Sequence, residues 1–222
     1  MKKFFGILLF IPTLAWAQLD QITNKEAIAG LKAALEKGSQ AAVASLGKND
    51  GFLRNPKVRI DLPDSLERAE KAMRRLGMGK YADELIVTMN RAAEAAVPEA
   101  KALFVDSVKK MSVQDAKGIL TGGDTAGTAY FRRSTSEPLR KRFLPIVQRA
   151  TERVGLAQKY NAYAGKGVRL GLVKAEDANL DDYVTQKALD GLYLMVAEEE
   201  KKIRKDPVGT ASSLLKKVFG AL

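Results

Sequence analysis

Serine, lysine and carboxylate side chains must carry whatever chemistry this chain performs, because it contains neither histidine nor cysteine. That absence removes Ser-His-Asp and Cys-His catalysis and nearly all zinc sites. Ser-x-x-Lys, the nucleophile spacing of penicillin-recognising enzymes, occurs at Ser45/Lys48, Ser107/Lys110 and Ser213/Lys216. Without the companion Lys-Thr-Gly and Ser-Asp-Asn motifs, these spacings read as coincidence in a lysine-rich chain. The run Gly122-Gly123-Asp124-Thr125-Ala126-Gly127 lacks the Gly-Lys-Ser/Thr of a phosphate loop and the dinucleotide spacing. Asp124 is suited to cap a helix, and it would fill the N-terminus that an anion needs. The run therefore reads as one helix ending and the next beginning. Carboxylates alone can hydrolyse glycosides, which keeps Glu94, Asp115 and Glu199 as acid or base candidates.

Three groupings suit ligand binding better than bond breaking. Asn90 and Glu94 stand one helical turn apart beside Val87 and Val97, as a polar pair for a ligand or a tie to a neighbouring helix. Glu199 falls in the centre of the stripe made by Leu192, Met195, Val196 and Ile203, with Glu198 turned away and Glu200 at its edge. A carboxylate buried there must be paired or neutral, as a ligand contact or as a structural ion pair. Arg142, Arg149 and Arg153 form a line along one helix, either a docking strip for phosphate groups or a solvated face.

The elements that must position these residues are helical. Thr23-Asn24-Lys25-Glu26 is a capping-box pattern that opens a stretch with Ile28, Leu31, Leu35 and Ala42 on one face. Asn55 to Pro63 reads as an extended connector or one short strand. Further helices are expected from Pro63 to Gly77, Tyr81 to Val97, Pro98 to Met111, and behind the Ser112–Asp115 capping box. Asp124 opens another, Pro138 begins a separate helix kinked at Pro145, and Leu180 to Lys205 forms the longest late helix. Gly165 to Asn179 is loop-like, and Ser212 to Leu222 is a short amphipathic tail. The expected fold is all-α, a single compact domain of about eight to ten helices.

Several ordered blocks carry a resemblance. They are Met89-Asn90-Arg91-Ala92-Ala93-Glu94, Asp115-Ala116-Lys117-Gly118-Ile119-Leu120 and Thr128-Ala129-Tyr130-Phe131-Arg132, followed by Ala188-Leu189-Asp190-Gly191-Leu192 and Leu214-Leu215-Lys216-Lys217-Val218-Phe219-Gly220. Over essentially the whole chain after residue 17, the sequence resembles the proteobacterial family catalogued as domain of unknown function 4197. The resemblance implies an exported helical protein and brings no catalytic residues with it. Many relatives are lipoproteins, whereas this chain lacks the lipid-accepting cysteine.

Lys2 and Lys3, the apolar run from Phe4 to Leu14, and Ala15-Trp16-Ala17 together make a signal-peptide pattern, cleaved before Gln18. The run is too short to span a bilayer, so no transmembrane anchor is expected. This places residues 18–222 in the periplasm as one domain. Removing the two signal lysines from 37 basic against 26 acidic residues leaves a net charge of +9. In an envelope, that charge favours anionic lipid or polymer. Nucleic acid is not expected, since the address is wrong and the sparse aromatics show no stacking pattern. No metal or cofactor is expected. The sequence thus predicts a non-enzymatic binding or scaffold protein for an apolar or anionic envelope molecule. The alternatives are a carboxylate-dependent hydrolase acting on an envelope polymer and a module that binds another envelope protein.

Overall fold

A computed structural model describes residues 24–66, 70–71, 74–152, 155, 160–161, 168–169 and 178–206. The signal-peptide pattern, the amphipathic tail and most of the loop-like stretch before Asn179 lie outside these residues. So does part of the helix expected between Pro63 and Gly77. Six α-helices fall within the described residues: α1 (Asn24–Leu46), α2 (Gly79–Ala96), α3 (Ala100–Lys110), α4 (Val113–Leu120), α5 (Ala126–Glu152) and α6 (Leu180–Lys205). The protein is all-helical and single-domain, but with fewer helices than the eight to ten expected. Among the described residues there is no strand, and residues 47–63, which include the Asn55–Pro63 stretch, form an irregular connector between α1 and the turn at Asp64.

One helix of the difference in count lies in α5, which runs unbroken through both Pro138 and Pro145. Proline inside a helix costs about 3 kcal/mol and usually ends it. Here Phe131, Thr135, Leu139, Phe143, Val147 and Thr151 recur every fourth residue, and all six are buried. The two prolines sit on the exposed side. Burying four large apolar side chains at about 1.5–3 kcal/mol each outweighs the lost backbone bonds, so no new helix starts at Pro138.

Local signals work where packing does not compete. Ser112 and Asp115 form a complete capping box at the start of α4. The Ser112 hydroxyl and amide hold the Asp115 carboxyl below its usual range. Asn179 caps α6 by accepting from the amides of Asp181 and Asp182. Pro98 lies in a single 3₁₀ turn, Val97–Glu99, that joins α2 to α3.

Helix α6 is the central element and packs against α5, α1 and α2. Its buried residues, from Leu180 round to Tyr193, span an arc of about 220° on a helical wheel, about twice the stripe of an ordinary surface helix. Gly191 admits the connector, since a Cβ there would lie 2.8 Å from Phe52 and 3.1 Å from Val58. Among the described residues, Thr185 Oγ1 is the one buried side-chain polar atom without a partner.

Tyr193 sits fully buried between α5 and α3, 6.2 Å from the Phe104 ring and bonded to the Thr135 hydroxyl at 2.8 Å. Burial pushes its phenol above the usual range. A raised folded-state value stabilises the protein below the ordinary phenol pKa, and that stability is lost as pH climbs towards the raised one. Tyr193→Phe should therefore flatten the alkaline limb of a stability-versus-pH curve. An unchanged limb in urea melts would show that this phenol stays neutral for no energetic reason.

Candidate binding groove

Asn90 is fully buried on α2, and it ties down the connector. Its Oδ1 accepts from the Ile60 amide at 2.9 Å, and its Nδ2 donates to the Ile60 and Ile86 carbonyls at 2.7 and 2.8 Å. One turn later, Glu94 Oε1 accepts from the amides of Phe52 and Leu53 at 3.0 and 3.1 Å. Its other oxygen takes the Arg91 guanidinium at 2.6 Å, and Arg91 reaches on to Asp50 at 2.6 Å. The hydrogen bonds from Glu94 and Asp50 raise the Arg91 pKa and hold its charge. Asp50 occupies the left-handed region at φ 64° in the Asn49-Asp50-Gly51 turn. The pair thus supplies hydrogen bonds to a segment that has no ladder of its own. Phe52 lies at Glu94 and Ile60 at Asn90, so the connector runs antiparallel to α2. Lys57 bonds Glu198 and the Asp61 carbonyl accepts from Tyr183, so it runs antiparallel to α6 as well. Gly79 and Leu180 therefore lie at the same end of the molecule.

The buried acid of α6 is Glu200, one residue beyond the position expected. Its carboxylate accepts from the Gly127 amide at 2.8 Å, the Thr128 amide at 2.7 Å and the Thr128 hydroxyl at 2.8 Å. These are first-turn donors of α5, which the sequence assigned to Asp124 as cap. Arg204, one turn along, bonds Glu200 at 2.9 Å and the Ile119 carbonyl, near the end of α4, at 3.0 Å. One ion pair therefore places its negative end on a helix N-terminus and its positive end on a helix C-terminus, as both dipoles favour. Gly127 is small because a Cβ there would collide with Leu35 and crowd Glu200.

Glu199 is half-buried and pairs with Lys202 at 2.6 Å. It lines an open groove of about 500 Å³ between α1 and α6. Lys37, Lys202 and Lys205 supply cations there, Gly38, Ala41 and Ile203 give an apolar floor, and Glu199 and Asp206 add carboxylates. Periodicity had set Glu199 in the buried stripe with Glu200 at its edge, and the structure reverses the two. What periodicity does not encode is where along the axis the neighbouring elements part. Beside the groove lies a small gap of about 10 Å³, lined by Leu31, Leu35, Val196 and Glu200 among others, which is room for a water at most.

The remaining candidates stand apart. Arg142 pairs with Glu99 across 3.4 Å, Arg149 is exposed, and Arg153 lies outside the described residues. Nearby, Arg140 pairs with Asp182, and Arg132 both pairs with Asp190 and covers the Tyr193 ring. The carboxylates weighed for catalysis are engaged separately: Glu94 on the connector, Asp115 in its capping box and Glu199 on Lys202. Among the described residues, no group of three acids is arranged to hold a metal ion, and no helix is long and apolar enough to cross a membrane. Sequence reasoning missed Glu200 and the groove lysines. The four-residue spacing of Glu200 and Arg204, with a glycine opening α5, was the available signal for the first.

Comparison with curated proteins and with solved structures gives no match. The family model described as "Protein of unknown function (DUF4197)" matches residues 21–220, so the chain belongs to that family.

Proposed function

We propose that this protein is a non-enzymatic binding protein of the bacterial periplasm, holding an anionic molecule with an apolar portion in the groove between α1 and α6. The observation that carries this reading is the grouping of Lys37, Lys202 and Lys205 around a floor made by Gly38, Ala41 and Ile203. Ammonium groups on flexible stems suit phosphate or carboxylate, and the floor suits a short apolar segment. Glu199 positions Lys202 through their 2.6 Å pair. The signal-peptide pattern and the surplus of basic residues support an envelope setting, where anionic amphiphiles abound.

Native mass spectrometry of gently purified protein tests the reading. The expected result is a one-to-one adduct whose extract holds an intact phosphate- or carboxylate-bearing amphiphile. Lys202→Glu with Lys205→Glu should remove the adduct and weaken binding of soluble short-chain phosphatidylglycerol by about tenfold or more. An adduct-free mass, combined with no saturable binding of that probe, overturns the proposal.

A further inference from the structure

At the end of the molecule away from the groove, the chain turns back through Leu76, Gly77 and Met78 before α2 begins. Leu76 in the turn is 75% exposed, Met78 at the cap of α2 44%, and Tyr81 in the first turn of α2 39%. Gly77 takes φ +75°, a left-handed geometry that ends the preceding helical turn and pushes its neighbours outward. Between Glu70 and Asp83 the sequence holds Lys71, Arg74, Arg75 and Lys80 and no carboxylate. All four cations are exposed. Arg74 is held by Glu70 at 2.8 Å and Asp83 at 2.7 Å, which braces the turn from both sides. Lys80 lies 5.0 Å from the centre of the Tyr81 ring.

We propose that this turn is a membrane-docking tip, inserting Leu76 and Met78 at the surface of an anionic lipid bilayer. The inference goes beyond the groove and does not depend on it. A protein partner would require a continuous apolar face. Here the apolar side chains are spaced by two glycines on an exposed turn with cations on either side in the sequence, an arrangement that fits the headgroup boundary. There, single apolar side chains can dip among the acyl chains while lysine and arginine stay with the phosphates. Tyrosine is at home at the same depth.

The test is sedimentation of the full chain with mixed phosphatidylglycerol and phosphatidylcholine vesicles at low salt, against phosphatidylcholine vesicles alone. Wild-type protein should pellet with the anionic vesicles and stay largely in solution with the neutral ones. Leu76→Ser and Met78→Ser should each weaken the interaction by about tenfold, the scale of burying one such side chain. Arg75→Glu with Lys80→Glu should weaken it by at least as much and reduce its salt dependence. Leu194→Ser, at a 42% exposed leucine on α6, should bind as wild type does. All these positions are exposed, and circular dichroism and thermal melts establish that each variant is folded. Binding equal to wild type in both tip variants overturns the proposal. So does wild-type protein that stays in solution with anionic vesicles. Loss of the groove adduct with vesicle binding intact leaves this inference standing, because the two sites use different residues.

Discussion

Glu200→Ala should be the most damaging single substitution in α6, lowering stability by about 3–5 kcal/mol, the usual cost of breaking a buried ion pair from one side. For a domain of this size that is a fall in Tm of roughly 10 °C. The loss strands the Gly127 and Thr128 amides, the Thr128 hydroxyl and most of the Arg204 guanidinium in a place that water reaches poorly. Glu199→Ala provides the contrast. It removes a half-exposed pair with Lys202 and should stay within about 0.5 kcal/mol of wild type. Replacing both Glu200 and Arg204 by methionine should recover part of the loss, since no orphan charge is left behind. Urea and thermal melts decide. A Glu200→Ala protein that melts within about 2 °C of wild type would mean that the α5 amides find other acceptors, and the clamp would have no energetic role.

Asn90→Leu ranks second, at about 2–5 kcal/mol. Leucine has the same branched heavy-atom skeleton as asparagine and leaves no cavity, but it leaves the Ile60 amide and carbonyl buried without partners. Each orphaned group costs about 1–3 kcal/mol. The effect should be local as well as global. Arg54, Lys57 and Arg59 all lie in the connector, so trypsin should cut there faster in the variant than in the wild type. Equal cleavage rates would show that the connector is held by Phe52, Val58 and Ile60 in the core and not by the asparagine.

What could be read from the sequence was local and directional. The start of α1, the capping box before α4 and the start of α6 behind Asn179 each follow from a few neighbouring residues. Helix α5 could not be divided correctly, because prolines are visible locally whereas the packed ladder from Phe131 to Thr151 gains its energy from other helices. Asn90 and Glu94 were visible as a polar pair one turn apart on the flank of their helix. Their partners, 30 to 42 residues away, are main-chain amides that carry no side-chain signature. The one-residue displacement from Glu199 to Glu200 has a similar origin. A wheel assigns direction around α6, but the N-terminus of α5 and the opening of the groove lie at particular heights along it. The groove lysines belong to helices distant in sequence, so no spacing could have united them.

The connector between Phe52 and Ile60 looks like a loop, yet it is pinned at both ends to the same helix. Loops ordinarily accept inserted or deleted residues, because their main chain answers only to water. This one answers to two carbonyl- and carboxylate-bearing side chains a fixed turn apart on α2, with Gly191 of α6 pressed against its middle. One residue added or removed between the two anchors would move either Ile60 off Asn90 or Phe52 off Glu94. Its length is therefore fixed as tightly as that of a helix, and variation among relatives should fall in the turn beyond Pro63 instead.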